Sequence, residues 1–300
     1  MAGPITGLVF DGLTGSLRLI LGMPGAARLD TTLVSEVDWA SVAPDGRTAI
    51  MVRHGETLRF SREETNDAAT GVAIPGAIEK PDQSAWSADS TAVALYSATA
   101  RTVQWIRFGS DGAHAETAVP LTGVDGPVTA LTGDSASTLI VIAVENAGLY
   151  RVSPADGTTL ILPILDASSI AMEPGGRTIW VGDRSTAQVV EIALDQEGAT
   201  SKVLFTDPEH FADLSMIGLS PDKKTLYLAD RPTKRLYLVD RSTMAIPEPI
   251  SLDAPATMLA PIGRSSVLLL SPREKADQPL YILDASSSPT VYFVPVAEGR

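Results

Sequence analysis

The chain has 300 residues, with 36 Asp and Glu against 23 Lys and Arg and a formal charge of −13. Its bases are dispersed, so the basic footprint of a nucleic-acid binder is missing and no nucleic-acid partner is expected. It contains no cysteine, which excludes thiol catalysis, disulfides and thiolate metal ligands, and no apolar run approaches the roughly 18 residues of a membrane span.

Taken in chain order, Met1-Ala-Gly-Pro lacks the charged and apolar regions of a secretory signal. Ile5–Phe10 and Ser16–Leu21 flank a Gly-rich turn and read as a hairpin, to which Leu33-Val34 adds a third strand. From Val37 onward a phrase of about 43 residues recurs six times. Its clearest copy runs Ser220-Pro-Asp-Lys-Lys224, Thr225–Asp230, then Arg235–Asp240: a tight turn, a strand, a polar turn and a second strand. Anchored on the position of Pro221, the copies stand at Pro44, Ala88, Gly133, Pro174, Pro221 and Pro261, in steps of 44, 45, 41, 47 and 40 residues.

The fourth copy displays the whole unit. Ile170–Met172, Thr178–Val181, Gln188–Ile192 and Lys202–Phe205 are four short apolar runs separated by turn residues, which is one small antiparallel sheet. A sheet apolar on both faces is not stable alone, so the copies must stack face to face. Closing the stack gives an all-β fold, a β-propeller. Six full four-stranded repeats plus a reduced N-terminal blade make seven blades; a six-bladed ring with the hairpin as an accessory is the competing count. The polar stretches 61–70 and 271–278 read as exposed loops, and residues 1–300 as a single domain. Trp39, Trp86, Trp105 and Trp180 fall in strands, where their rings pack between blades.

The fifth copy, SPDKKTLYLADRPTKRLYLVDRSTMAIPEPISL, resembles the YVTN-type β-propeller repeat. The likeness extends over Val37–Val296 and is specific in that copy. It implies a propeller. Members include surface-layer and exported binding proteins, lactonase-like enzymes and cofactor-containing dehydrogenases, so the resemblance also implies an exported or periplasmic location. The motif is blade scaffold and carries no catalytic residue.

No catalytic constellation stands out. His54, His114 and His210 are scattered, without metal-ligand spacing, and no nucleophile elbow, phosphate loop or calcium loop is present. One charged pattern does recur. Eight residues before the anchors stand Glu36, Asp125, Asp166, Asp213 and Asp253, with Asp82 near the same place in the second copy. Nine to thirteen residues after them stand Arg53, Arg101, Arg184, Arg231 and Arg273; the third copy has Glu145-Asn146 instead. Both sets fall on connections that a propeller puts on one face, from fourth strand to first and from second to third, around the mouth of its tunnel. Two readings follow. The arginines pair with the acids and clamp blades together, or the set is a polar mouth for a protein or small polar ligand. The expected function is accordingly a non-enzymatic binding scaffold with no cofactor and no metal. The alternative is a lactonase-like hydrolase with a divalent cation held by carboxylates such as Glu36, Asp166 and Asp213.

Overall fold

The computed structural model describes residues 5–62, 71–134, 139–195, 198–263, 266–273, 275, 278–286 and 288–295. Parts of both expected loops, residues 63–70 and residues 274, 276 and 277, lie outside the described residues. Among those described there is no helix, and so none long and apolar enough to cross a membrane.

The N-terminal sheet pairs β1 (Ile5–Asp11), β2 (Ser16–Gly22) and β3 (Arg28–Val34) in that order. The next pairs β4 (Trp39–Val42), β5 (Thr48–Arg53), β6 (Glu56–Ser61) and β7 (Val72–Ala73). In the third, β8 (Gln83–Trp86), β9 (Ala92–Ser97) and β10 (Thr102–Gly109) follow one another, β11 (Gly112–Ala115) comes next in sequence, and β12 (Val119–Pro120) pairs with β10. The fourth is β13 (Val128–Asp134), β14 (Leu139–Val144), β15 (Gly148–Ser153) and β16 (Gly157–Leu162). The fifth is β17 (Ala167–Met172), β18 (Thr178–Asp183), β19 (Gln188–Leu194) and β20 (Ala199–Thr206). The sixth is β21 (Leu214–Leu219), β22 (Thr225–Asp230), β23 (Arg235–Asp240) and β24 (Ile250–Ser251). The last is β25 (Ala260–Pro261), β26 (Val267–Ser271), β27 (Leu280–Asp284) and β28 (Thr290–Val294). These seven antiparallel sheets are the blades of a β-propeller, which settles the count at seven.

The chain divides into two compact units. One comprises Met1–Lys80, Gly109–Ala115 and Met258–Arg300, and holds the first, second and seventh blades. The other comprises Pro81–Phe108 and Glu116–Thr257, and holds the third blade apart from β11 and the fourth to sixth whole.

In each unit the core lies between blades. In the first, Val9, Ile20 and Leu29 pack with Ile262, Val267, Leu280 and Ile282, while Leu8, Leu17 and Val34 pack with Ala49, Met51, Leu58 and Phe60. In the second, Trp105 and Val103 meet Ile140, Ile142 and Val144; Val141, Ala143 and Leu149 meet Ile170, Ile179 and Val181; Trp180 and Val189 meet Leu226, Leu228 and Tyr237. The second strand β14 is buried at every residue because neighbouring blades cover both its faces, Ile140 and Ile142 facing Trp105 and Val141 and Ala143 facing Ile179. That is why Leu139–Val144 reads as a continuous apolar run rather than an alternation.

The N-terminal blade is longer than the hairpin expected. Its third strand starts at Arg28, not Leu33, because Leu29 is fully buried among polar neighbours. Since β3 leads directly into the connection before β4, the three strands are the second, third and fourth of a full blade, and β1 is the innermost strand of this blade among the described residues.

The turns from first to second strand are built alike. Gly46, Ser90, Gly176 and Lys223 each donate their N–H to the carbonyl three residues back, at 2.8–2.9 Å. All are left-handed, with φ of 68°, 63°, 68° and 62°. The anchors Gly133 and Pro261 depart from the others, lying inside β13 and β25. At 133 a side chain has no room, since a Cβ there would stand 2.6 Å from Cη2 of Trp105 on the preceding blade.

Candidate functional site

Backbone bonds bring the two sets of charged connections together. Asp82, Glu145, Arg184 and Arg231 donate their N–H groups to Tyr96, Pro127, Asp166 and Asp213, at 2.8–3.0 Å, so each second-to-third connection lies against the entry to its own first strand. In the first unit Asp38 does the same to Val52.

A β-bulge shapes three of the four entries in the second unit. Register slips at Thr129, Ser168 and Ser215, leaving one extra residue in β13, β17 and β21. The hydroxyl of each extra residue reaches the next repeat: Thr129 Oγ1 to Ala167 O, Ser168 Oγ to Leu214 O and Ser215 Oγ to Ala256 O, all at 2.7 Å. Gln83 Nε2 makes the equivalent bond to Val128 O at 2.8 Å. These latches fix the spacing between neighbouring charged loops.

On this base the second unit carries an arc of charge. Asp166 accepts two bonds from Arg184, from Nη2 at 2.7 Å and Nε at 3.1 Å, and the same guanidinium reaches Asp213 of the next blade at 3.7 Å. Arg231 lies 3.8 Å from Asp213. The hydrogen bond to Asp166 raises the Arg184 pKa, with burial opposing it and the charges of Asp166, Asp213 and Glu145 adding to it. Arg101 turns to the carbonyls of Val124 and Gly126 instead of a carboxylate, holding the loop that carries Asp125. Asp82 accepts the N–H of Ala98. Asp125 and Asp253 are exposed, and among the described residues their carboxylates have no ion-pair or hydrogen-bond partner. Lys234 Nζ bonds the backbone carbonyl of Asp253 at 3.2 Å. Six acids (Asp82, Asp125, Glu145, Asp166, Asp213 and Asp253) thus face four cations (Arg101, Arg184, Arg231 and Lys234) along these loops.

In the first unit Glu36, on the corresponding connection, stands 3.2 Å from Arg53 at the end of β5 and 3.7 Å from His54 just after it. Arg273 departs from the pattern. It is 6% exposed and sits on Asp11 at 2.7 Å, with Arg18 3.3 Å from the same carboxylate. It joins the first blade to the seventh and is unavailable to a ligand. Sequence reasoning missed Asp11 and Arg18 because they precede the first full repeat. It missed Lys234 because that residue trails Arg231 by three positions. Among the described residues no three His, Asp or Glu side chains converge closely enough to hold a metal ion.

No protein-family model matches the chain, and no curated protein sequence matches it. Solved structures do. A "putative 6-phosphogluconolactonase" from Bacteroides fragilis aligns over 98% of this chain and 96% of its own, at 13% identity and a TM-score of 0.62. Another, from Bacteroides uniformis, aligns over 97% and 96%, at 13% identity and a TM-score of 0.60. The Cps50 (Swd1) β-propeller domain of Myceliophteria thermophila aligns over 91% and 94%, at 9% identity and a TM-score of 0.58. At such identities the likeness extends to the fold alone, and that fold is the β-propeller.

Proposed function

We propose that the protein is a non-enzymatic binding scaffold, built on repeats of the YVTN type, that takes a cationic partner on the charged loops of its second unit. The observation that carries this reading is the surplus of carboxylate there. Arg184 and Arg231 occupy Asp166 and Asp213, whereas the carboxylates of Asp125 and Asp253 stand exposed without an ion-pair partner among the described residues, Lys234 being bonded to the Asp253 backbone carbonyl. The arginine pairs hold the loops in place, each exposed pair adding only about 0–1 kcal/mol. The unpaired acids supply the attraction. A lysine- or arginine-bearing segment of a protein, or a small polar cation, fits such a surface, and a chain with a net charge of −13 steers it there.

The test is anisotropy of a labelled hexalysine peptide. Binding is expected to weaken as salt shortens the Debye length from roughly 30 Å at 0.01 M to 10 Å at 0.1 M, and to weaken further in the Asp125→Asn, Asp253→Asn double variant. Binding unaffected by that variant refutes the assignment. A melt of chelator-stripped protein tests the hydrolase alternative. Stabilisation by Ca²⁺, Mg²⁺, Mn²⁺ or Zn²⁺ that grows with the ratio of metal to Kd would support it in place of the scaffold.

A further inference from the structure

A cleft of about 640 Å³ opens on the other side of the second unit, where the turns from first to second strand emerge. Lys202, Lys223, Lys224 and Arg241 line it, with Glu191, Asp240 and Ser242 as polar neighbours and Leu204 and Met244 as the apolar ones. The volume suits a small molecule. The concentration of cations is unusual for this chain: three of its six lysines meet here, against a net charge of −13.

The acids in the cleft are held by protein neighbours, Asp240 partly by the charge of Lys224. Glu191 lies directly across the strand pair from Lys202, yet its carboxylate accepts from Trp180 Nε1 at 3.1 Å, and among the described residues Lys202 has no ion-pair partner. Asp240 accepts from the N–H and hydroxyl of Ser242 at 2.7 and 2.6 Å. Arg241 is spent on structure, lying 4.7 Å above the Trp180 ring and donating to Lys223 O at 2.7 Å and to Glu173 at 3.4 Å. Among the described residues Lys223 has no ion pair, and it stands at the left-handed turn position that is glycine at 46 and 176 and serine at 90. A lysine costs more than glycine in that conformation, so its charge sits at the rim against the backbone's preference.

We infer that this cleft binds a small molecule bearing a phosphate or sulfate group, with Lys202, Lys223 and Lys224 as the charged contacts. Leu204 and Met244 take the ligand's hydrocarbon part. The site is independent of the acidic loops, attracting anions where those attract cations.

Calorimetric titration with inorganic pyrophosphate, and in parallel with sulfate, against sodium chloride of matched ionic strength tests it. Saturable binding is expected. Pyrophosphate binding the tighter assigns phosphate, and sulfate the tighter assigns the sulfate ester. Lys202→Met and Lys223→Gly should each weaken binding about tenfold or more, the loss of a charged hydrogen bond. Lys223→Gly restores the residue type of the sister turns, so its fold is secure and it decides the matter should Lys202→Met misfold. Heats no larger than those of sodium chloride, or a Lys223→Gly protein that binds as tightly as its parent, would overturn the assignment.

Discussion

Single side chains set local order in this molecule by binding their own backbone. Ser242 donates its hydroxyl and its N–H to Asp240, and these bonds hold the carboxyl below its ordinary value of 3.8. Ser220, with its hydroxyl 2.6 Å from Asp222, has the same effect there. A depressed carboxylate adds stability above its unfolded pKa and loses it as pH falls through the folded one. Ser242→Ala is therefore expected to lift the Asp240 pKa towards 3.8, as read by carboxyl NMR titration. Its cost to stability should be present at neutral pH and vanish below the folded pKa. A titration identical to the parent's would place the cause elsewhere.

Elements are joined by devices that repeat from blade to blade. Each bulge hydroxyl carries one bond to the next repeat, so Ser215→Ala leaves the Ala256 carbonyl unsatisfied and should cost about 1 kcal/mol in urea unfolding. Gly133→Ala drives a methyl into the Trp105 indole and should cost about 1–3 kcal/mol through overpacking. A variant of either kind as stable as the parent would show that the contact contributes nothing. Much of this level is readable from residues. Thr225–Asp230 and Arg235–Asp240 coincide with β22 and β23, because apolar strands there end abruptly at Asp and turn chemistry. The positions of Arg101, Arg184, Arg231 and Arg273 on the connections after second strands, and of the six acids before first strands, are likewise readable, since a repeat transfers loop positions from copy to copy; Arg53 ends β5 instead. Burial is not transferred. Arg273 keeps the register of Arg184 yet is enclosed by Asp11, a partner 262 residues away that no spacing rule links to it. The start of β3 is hidden for a related reason, a single buried Leu29 in a polar stretch giving no period to detect.

For the molecule as a whole, the enclosed pair and the exposed pairs should behave differently. Asp11 is 1% exposed, and its removal takes away the buried carboxylate that Arg273 and Arg18 share. Asp11→Ala should lose about 3–5 kcal/mol, whereas Glu36→Gln, which releases an exposed pair, should stay within about 1 kcal/mol. Equal losses in denaturant titrations would contradict the distinction. We propose in addition that the chain melts as one domain, with a single calorimetric transition whose van't Hoff and calorimetric enthalpies agree; two resolved transitions would refute it. The bond between Asp11 and Arg273 also imposes a timetable on biosynthesis. At roughly 5–20 residues per second on a ribosome, the 262 residues separating them take about 13–50 s to emerge. Until then β1 and β2 wait beside their growing successors with a carboxylate still in water, and the blade made 262 residues later is the one that shelters it.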